Sequence, residues 1–221
     1  MGGFKNQSLN VDFTNGLFTT IVMAIKKSCE LMLKNNINNS NTIENHEEKI
    51  RTHLLENYLD RDELRADIGL SDCHLRFWAE SPENYDPSSN SYIGRTDIKV
   101  ASKNWFNNRN DYFIIECKRL DGTTILNKKY VTDGVSRFIG PAPKYSSYHK
   151  KNFMVGFIVR DIDFIKLITD ISTVHMYELG SDVKCDISIK ETFPPYYLCE
   201  SEYVSGLLLA HVFYDFSSIV A

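Results

Sequence analysis

Asp97, Glu116 and Lys118 are the residues of this chain whose types and spacing best suit chemistry. Glu116 and Lys118 are separated by one residue at the end of Tyr112-Phe113-Ile114-Ile115-Glu116-Cys117-Lys118, a run that reads as a β-strand. Side chains alternate along a strand, so Glu116 and Lys118 share one face and Cys117 points to the other. Asp97 lies in Gly94-Arg95-Thr96-Asp97-Ile98-Lys99-Val100, a second strand-like stretch, from which it can converge on that face. Two carboxylates and an ammonium at the edge of an apolar sheet are costly unless a metal ion or a substrate compensates them.

The elements that must position these groups can be read around them. The segment from Lys103 to Asp111, with four Asn, reads as the hairpin connection between the two strands. The second strand is apolar almost without a break until Glu116, which predicts a central strand covered on both faces. The plainer alternative is an exposed hairpin with a cross-strand Lys–carboxylate pair. A solvated hairpin would alternate polar and apolar residues, and this run does not. Upstream, a helix is predicted from Ile43 to about Leu59, capped by Asn41 or Thr42, with Ile43, Ile50, Leu54 and Tyr58 on its apolar face. Glu47 falls on that stripe, where a carboxylate is unusual, while Glu44 and Glu48 point away. The bland reading of Glu47 is a surface residue favoured by the helix dipole.

Asp97, followed after a hairpin by Glu116-x-Lys118, resembles the core of the PD-(D/E)xK nuclease superfamily, the restriction-endonuclease-like enzymes. The resemblance covers roughly residues 43–160 by element order: helix, three strands, helix, strand. One departure is Thr96, where many members have Pro before the Asp. The resemblance implies an α/β fold with a restriction-endonuclease-like core, a central mixed β-sheet flanked by helices in the order αβββαβ. To this the chain adds an N-terminal helix and a C-terminal α/β extension over about 161–221, all within a single nuclease-like domain. It implies Mg²⁺ (or Mn²⁺) held by Asp97 and Glu116, with Glu47 and the carbonyl of Cys117 as further ligands, and Lys118 assisting hydrolysis. An all-oxygen donor set suits such a hard cation better than zinc. It further implies a DNA endonuclease of restriction, anti-phage defence or repair, acting on double-stranded DNA; a homodimer or a larger defence complex is compatible with that role. The competing class is a catalytically inactive member of the same fold, kept as a nucleic-acid-binding or protein-interaction subunit. All three motif residues are present, which argues for the active form.

Charge resolved along the chain supports a polyanionic partner. The net charge is −4, yet between Lys118 and Lys151 eight basic residues face two acidic ones. That stretch is therefore +6 and the remainder −10. It contains a predicted helix from Leu126 to Ile139, stopped by Gly140-Pro141-Ala142-Pro143. Lys128, Lys129, Tyr130, Arg137 and Lys144 are the phosphate-contact candidates; a solvated helix face is the competing explanation for each. A buried strand follows over Asn152–Arg160, completing the predicted core sheet.

The rest of the chain positions nothing catalytic. Leu17–Leu33 reads as an amphipathic helix, Asn35–Asn41 as a loop, Asp60–Ser71 as a short helix or loop, Cys73–Glu80 as the first strand, and Ser81–Ser91 as a loop near the site. Beyond residue 160, a helix over Asp161–Ile171 and strands over Val174–Tyr177, Val183–Lys190 and Leu207–Phe216 are expected. His175 and His211 lie within expected apolar strands and read as packed, hydrogen-bonded groups rather than ligands. There is no P-loop, no GxSxG and no Cys–His pair suited to nucleophilic catalysis. Five widely spaced cysteines form no CxxC, which points to reduced thiols and a cytoplasmic setting. No membrane span or signal peptide is expected.

Overall fold

The computed structural model describes residues 7–71, 73–102, 105 and 108–221, with side chains from residue 12 onward. Its centre is a seven-stranded mixed sheet in the order β1-β4-β5-β6-β9-β8-β7. These strands are β1 (Arg76–Ala79), β4 (Ile98–Ala101), β5 (Tyr112–Leu120), β6 (Lys151–Ile158), β7 (Val183–Phe193), β8 (Tyr196–Tyr203) and β9 (Leu208–Asp215). A separate two-stranded ribbon is formed by β2 (Pro82–Asp86) and β3 (Ser91–Arg95). β5, β6 and β9 run parallel to one another, and the flanking strands are antiparallel to their neighbours. No helix among the described residues is long and apolar enough to cross a membrane.

Both faces of the sheet are covered. On one, Phe113, Ile115, Cys117, Phe153 and Val155 pack with α1 (Gln7–Asn38) and α2 (Glu47–Leu54, continued by a π-turn over Leu55–Leu59). On the other, Ile114, Leu120, Met154, Leu209 and Phe213 meet the helical segment after β5 and α4 (Phe164–Leu179). That segment is α3 (Thr124–Lys129), a π-turn over Tyr130–Gly134 and a 3₁₀ turn over Val135–Phe138. Of β5, only Arg119 is not buried, as its apolar run required.

Several boundaries differ from expectation, each for a local reason. The helix holding Glu47 starts four residues late, because the backbone of Ile43 and Asn45 bonds to Ile219 and Ala221 and is not available to a helix. α1 runs through the expected Asn loop to Asn38, since Asn36 is buried and donates to the Met32 carbonyl. Part of the expected loop after β1 is the β2–β3 ribbon, whose turn is tied by Asp86 to Ser88 and Ser89. Arg95 ends that ribbon, so the strand expected over Gly94–Val100 breaks at Thr96 and Asp97. Of the expected connection over Lys103–Asp111, residues 103–104 and 106–107 lie outside the described residues. Val174–Tyr177 belongs to α4, whose buried Ile171 and His175 lie one turn apart. Residues after 160 supply three of the seven strands, and β9 pairs directly with β6, so β6 does not complete the sheet.

Two buried histidines tie helical segments to the sheet, His175 from α4 and His211 of β9 to the π-turn after α3. His175 bonds through Nδ1 to Asp186 (2.6 Å) and through Nε2 to the Tyr203 hydroxyl (2.8 Å). His211 meets Ser201 through Nε2 and the Tyr130 hydroxyl through Nδ1, both at 2.8 Å. Both are packed and hydrogen-bonded, as expected. Burial lowers the pKa of each, that of His211 to about 3 from an ordinary 6.5. The folded state therefore resists protons that the unfolded chain accepts. His211's contribution is complete above pH 6.5 and is lost as pH falls toward 3, by about 1.4 kcal/mol per pH unit. His175 adds to it with the same sign. The buried Glu116, whose pKa is raised to about 7, pulls the other way between about pH 4.5 and 7. The readout is therefore the difference in denaturant midpoint between wild type and His211→Gln, which should change across pH 7 to 4; parallel pH profiles would remove His211 as a contributor.

Candidate active site

The candidate site lies at the C-terminal end of β5, where β4 begins. Ile98 pairs with Ile115, so Asp97, one residue before β4, stands opposite Glu116. There the β4 ladder stops, and the Asp97 carboxylate accepts the Cys117 amide at 2.7 Å. Its other oxygen takes Arg51 Nη1 at 2.7 Å. Arg51, on α2, also donates to Glu80 (2.6 Å), and Glu80 in turn contacts Arg95. Asp97 is thus fixed by a helix cation on one side and a strand amide on the other.

Glu116 is fully buried and surrounded by donors. One oxygen accepts Lys118 Nζ at 2.6 Å and the other accepts the Tyr145 hydroxyl at 2.6 Å, with Arg137 Nη1 about 3.4 Å from the first. Burial, and then the charge of Asp97, push its pKa up to about 7 against the pull of Lys118 and Arg137. Gly134 lies over this corner; a Cβ there would come within 2.7 Å of Met154 and 3.3 Å of Lys118 Cγ, so the absent side chain lets the turn close down.

Lys118 Nζ sits among three oxygens: Glu116 Oε1 at 2.6 Å, the Cys117 carbonyl at 2.9 Å and Glu47 Oε1 at 3.2 Å. Burial alone would lower its pKa, but Glu116, Glu47 and Asp97 together raise it above the ordinary value. It is therefore an ammonium and not a base as it stands. Glu47 reaches the sheet end from the first turn of α2, and its second oxygen accepts the Arg119 amide at 2.9 Å. The side chain singled out on the inward helix stripe does meet the motif residues. The Cys117 thiol is buried on the opposite face with its pKa well above the ordinary value, so only its carbonyl faces the site.

The phosphate-contact candidates separate. Lys129 and Arg137 line a cleft of about 450 Å³ beside Glu47 and Lys118. Lys144 lies with Arg137 along a neighbouring groove. Lys128 pairs with Glu178 of α4 at 3.1 Å. Tyr130 is a correction: it is fully buried, its hydroxyl bonded to His211, so it faces no phosphate. The basic stretch is accordingly not one face; Lys151 packs over the Phe18 ring on the α1 side.

Sequence reading missed Arg51, Tyr145, Glu80 and Arg119. Arg51 was within reach, since it follows Glu47 by one helical turn on the same inward stripe. Tyr145 comes from an irregular segment after Pro143, and no periodicity points to it.

The donors suit a hard cation: carboxylates of Asp97, Glu116 and Glu47 and the carbonyl of Cys117 offer oxygen only. Among the described residues, no three His, Cys, Asp or Glu side chains are grouped to hold a metal by themselves. The oxygens of the set instead meet Lys118, Arg51, Tyr145 and backbone amides. Compared with protein-family models, curated proteins and solved structures, the chain matches none.

Proposed function

We propose that this protein is a metal-dependent nuclease with a restriction-endonuclease-like core, hydrolysing phosphodiester bonds in DNA as a member of the PD-(D/E)xK superfamily. The observation that carries this reading is the meeting of Asp97, Glu116, Lys118 and Glu47 at one sheet end, beside a cleft that Arg119, Lys129 and Arg137 also line. Asp97, Glu116 and the Cys117 carbonyl, with Glu47, would hold Mg²⁺ or Mn²⁺. When bound, the ion polarises a phosphate oxygen and lowers the pKa of a water.

The remaining work belongs to the chain's own residues. Lys118, an ammonium under load from three oxygens, offsets negative charge developing on the phosphoryl group. Arg137 reaches from Glu116 into the cleft and holds a phosphate there. Tyr145 and Arg51 fix the two carboxylates, so little reorganisation is needed when substrate arrives. Defence against foreign DNA, or repair, is the setting that this activity fits, in the cytoplasm.

One observation favours a second reading. Every carboxylate of the set is already neutralised by a protein group, and among the described residues no three acidic side chains are grouped for a metal. An inactive scaffold that binds nucleic acid would have this arrangement. Incubation of the purified protein with plasmid and Mg²⁺ or Mn²⁺, with and without EDTA, separates the two. Metal-dependent, EDTA-sensitive nicking is expected. Intact plasmid, together with no Mn²⁺ binding by calorimetry, would favour the scaffold.

A further inference from the structure

A second groove adjoins the site on the side of the β2–β3 ribbon. Its volume is about 430 Å³, and Arg95, Arg137 and Lys144 line it together with Tyr92 and Ile93. Among the described residues, three cations and no acidic residue line this groove. The cleft beside Lys118, by contrast, has Glu47, Glu48 and Asp133 among its walls and carries both signs. Arg95 contacts Glu80, yet its side chain remains 64% exposed.

The groove is built, not incidental. Asn84 of the ribbon donates to the Lys144 carbonyl at 2.9 Å and accepts Ser146 Oγ at 2.6 Å, which staples the ribbon to the opposite wall. Gly94 lets the two backbones approach, because a Cβ there would lie 2.7 Å from the Lys144 carbonyl. Tyr92 is 57% exposed at the rim, set edge-on against Tyr85 with ring centroids 5.4 Å apart. Arg137 lines both grooves, and its guanidinium is about 3.4 Å from Glu116.

We infer that this groove takes an unpaired stretch of nucleic-acid strand, its phosphates on Arg95, Arg137 and Lys144 and a base against Tyr92. A space of this size accepts a small-molecule-sized group, about one or two nucleotides of a strand. Cations along a backbone track, with an aromatic face for a base, form the combination that binds single strands without sequence preference. The link to cleavage rests on the nuclease reading above, since Arg137 places the bound strand next to Glu116.

The test uses the full chain in EDTA, so that binding is read without cleavage. Fluorescence anisotropy compares a labelled oligothymidine with a blunt duplex of equal length. The single strand is expected to bind at least about tenfold more tightly, and Tyr92→Ala to lose about tenfold of that affinity. Lys144→Gln should reduce the slope of log affinity against log salt by about 0.7. Tighter binding of the duplex, no binding of the oligothymidine, or variants that bind as the wild type would each overturn the inference. Plasmid cleavage in Mg²⁺ is scored separately. Groove-dependent binding without cleavage would remove the nuclease reading and leave the groove; cleavage with unchanged variants would do the reverse.

Discussion

Glu116→Gln should lower metal-dependent cleavage by on the order of 10³-fold, the scale on which loss of one essential polar group acts, while the protein stays folded. The substitution is isosteric and keeps an oxygen for Lys118. Tyr145 can turn its proton to the Arg95 carbonyl, 2.7 Å away, and accept from the new amide. Glu116→Ala is a different experiment. Closely placed carboxylates suggest that removing one relieves repulsion, but Glu116 is the partner of a buried Lys118 and a half-buried Arg137. Stranding buried charges costs about 3–5 kcal/mol, so Ala should lose stability as well as activity. Plasmid assays and thermal melts on both variants read this out. Wild-type cleavage by Glu116→Gln at saturating Mg²⁺ would sink the assignment of Glu116.

Lys118→Ala should abolish detectable cleavage, yet bind Mn²⁺ at least as tightly as the wild type. Its ammonium touches Glu116, the Cys117 carbonyl and Glu47, the oxygens proposed to hold the ion. A cation already among those oxygens competes with any other, and deleting it removes the competitor while also removing the charge that assists the reaction. Calorimetry with Mn²⁺ checks the first half and plasmid cleavage the second. Metal binding that vanished together with activity would mean that Lys118 holds the site in shape.

What could be read before the structure was what burial writes into residue order. β5 was legible because a strand covered on both faces needs an unbroken apolar run, and Glu116 and Lys118 stand out against it. Glu47 was legible because a carboxylate on an apolar helix stripe must meet something polar. Contacts distant in sequence left no such trace. The start of α2 is set by pairing with residues near 220, and no local pattern reports that. The ribbon over 82–95 was hidden by its Pro, Ser and Asn, which mark a turn but say nothing of Asn84 reaching Lys144. Tyr130 was misassigned because a tyrosine beside two lysines suits a wet cleft and a dry core equally, and only its hydrogen-bond partner decides.

The buried histidines impose an order that reaches beyond their packing. Asp186, as a carboxylate, can only accept, so His175 must carry its proton on Nδ1 and receive one on Nε2 from Tyr203. With that hydroxyl's proton spent, Ser201 donates to Tyr203, His211 must donate from Nε2 to Ser201, and Tyr130 donates to His211 Nδ1. Every link then points the same way, from Tyr130 toward Asp186. The two histidines are held as opposite tautomers by one carboxylate near the surface, and no link can reverse unless all of them do. A proton added at His211 Nδ1 takes the place of the one Tyr130 supplies, so the direction of the whole run is lost at a single point.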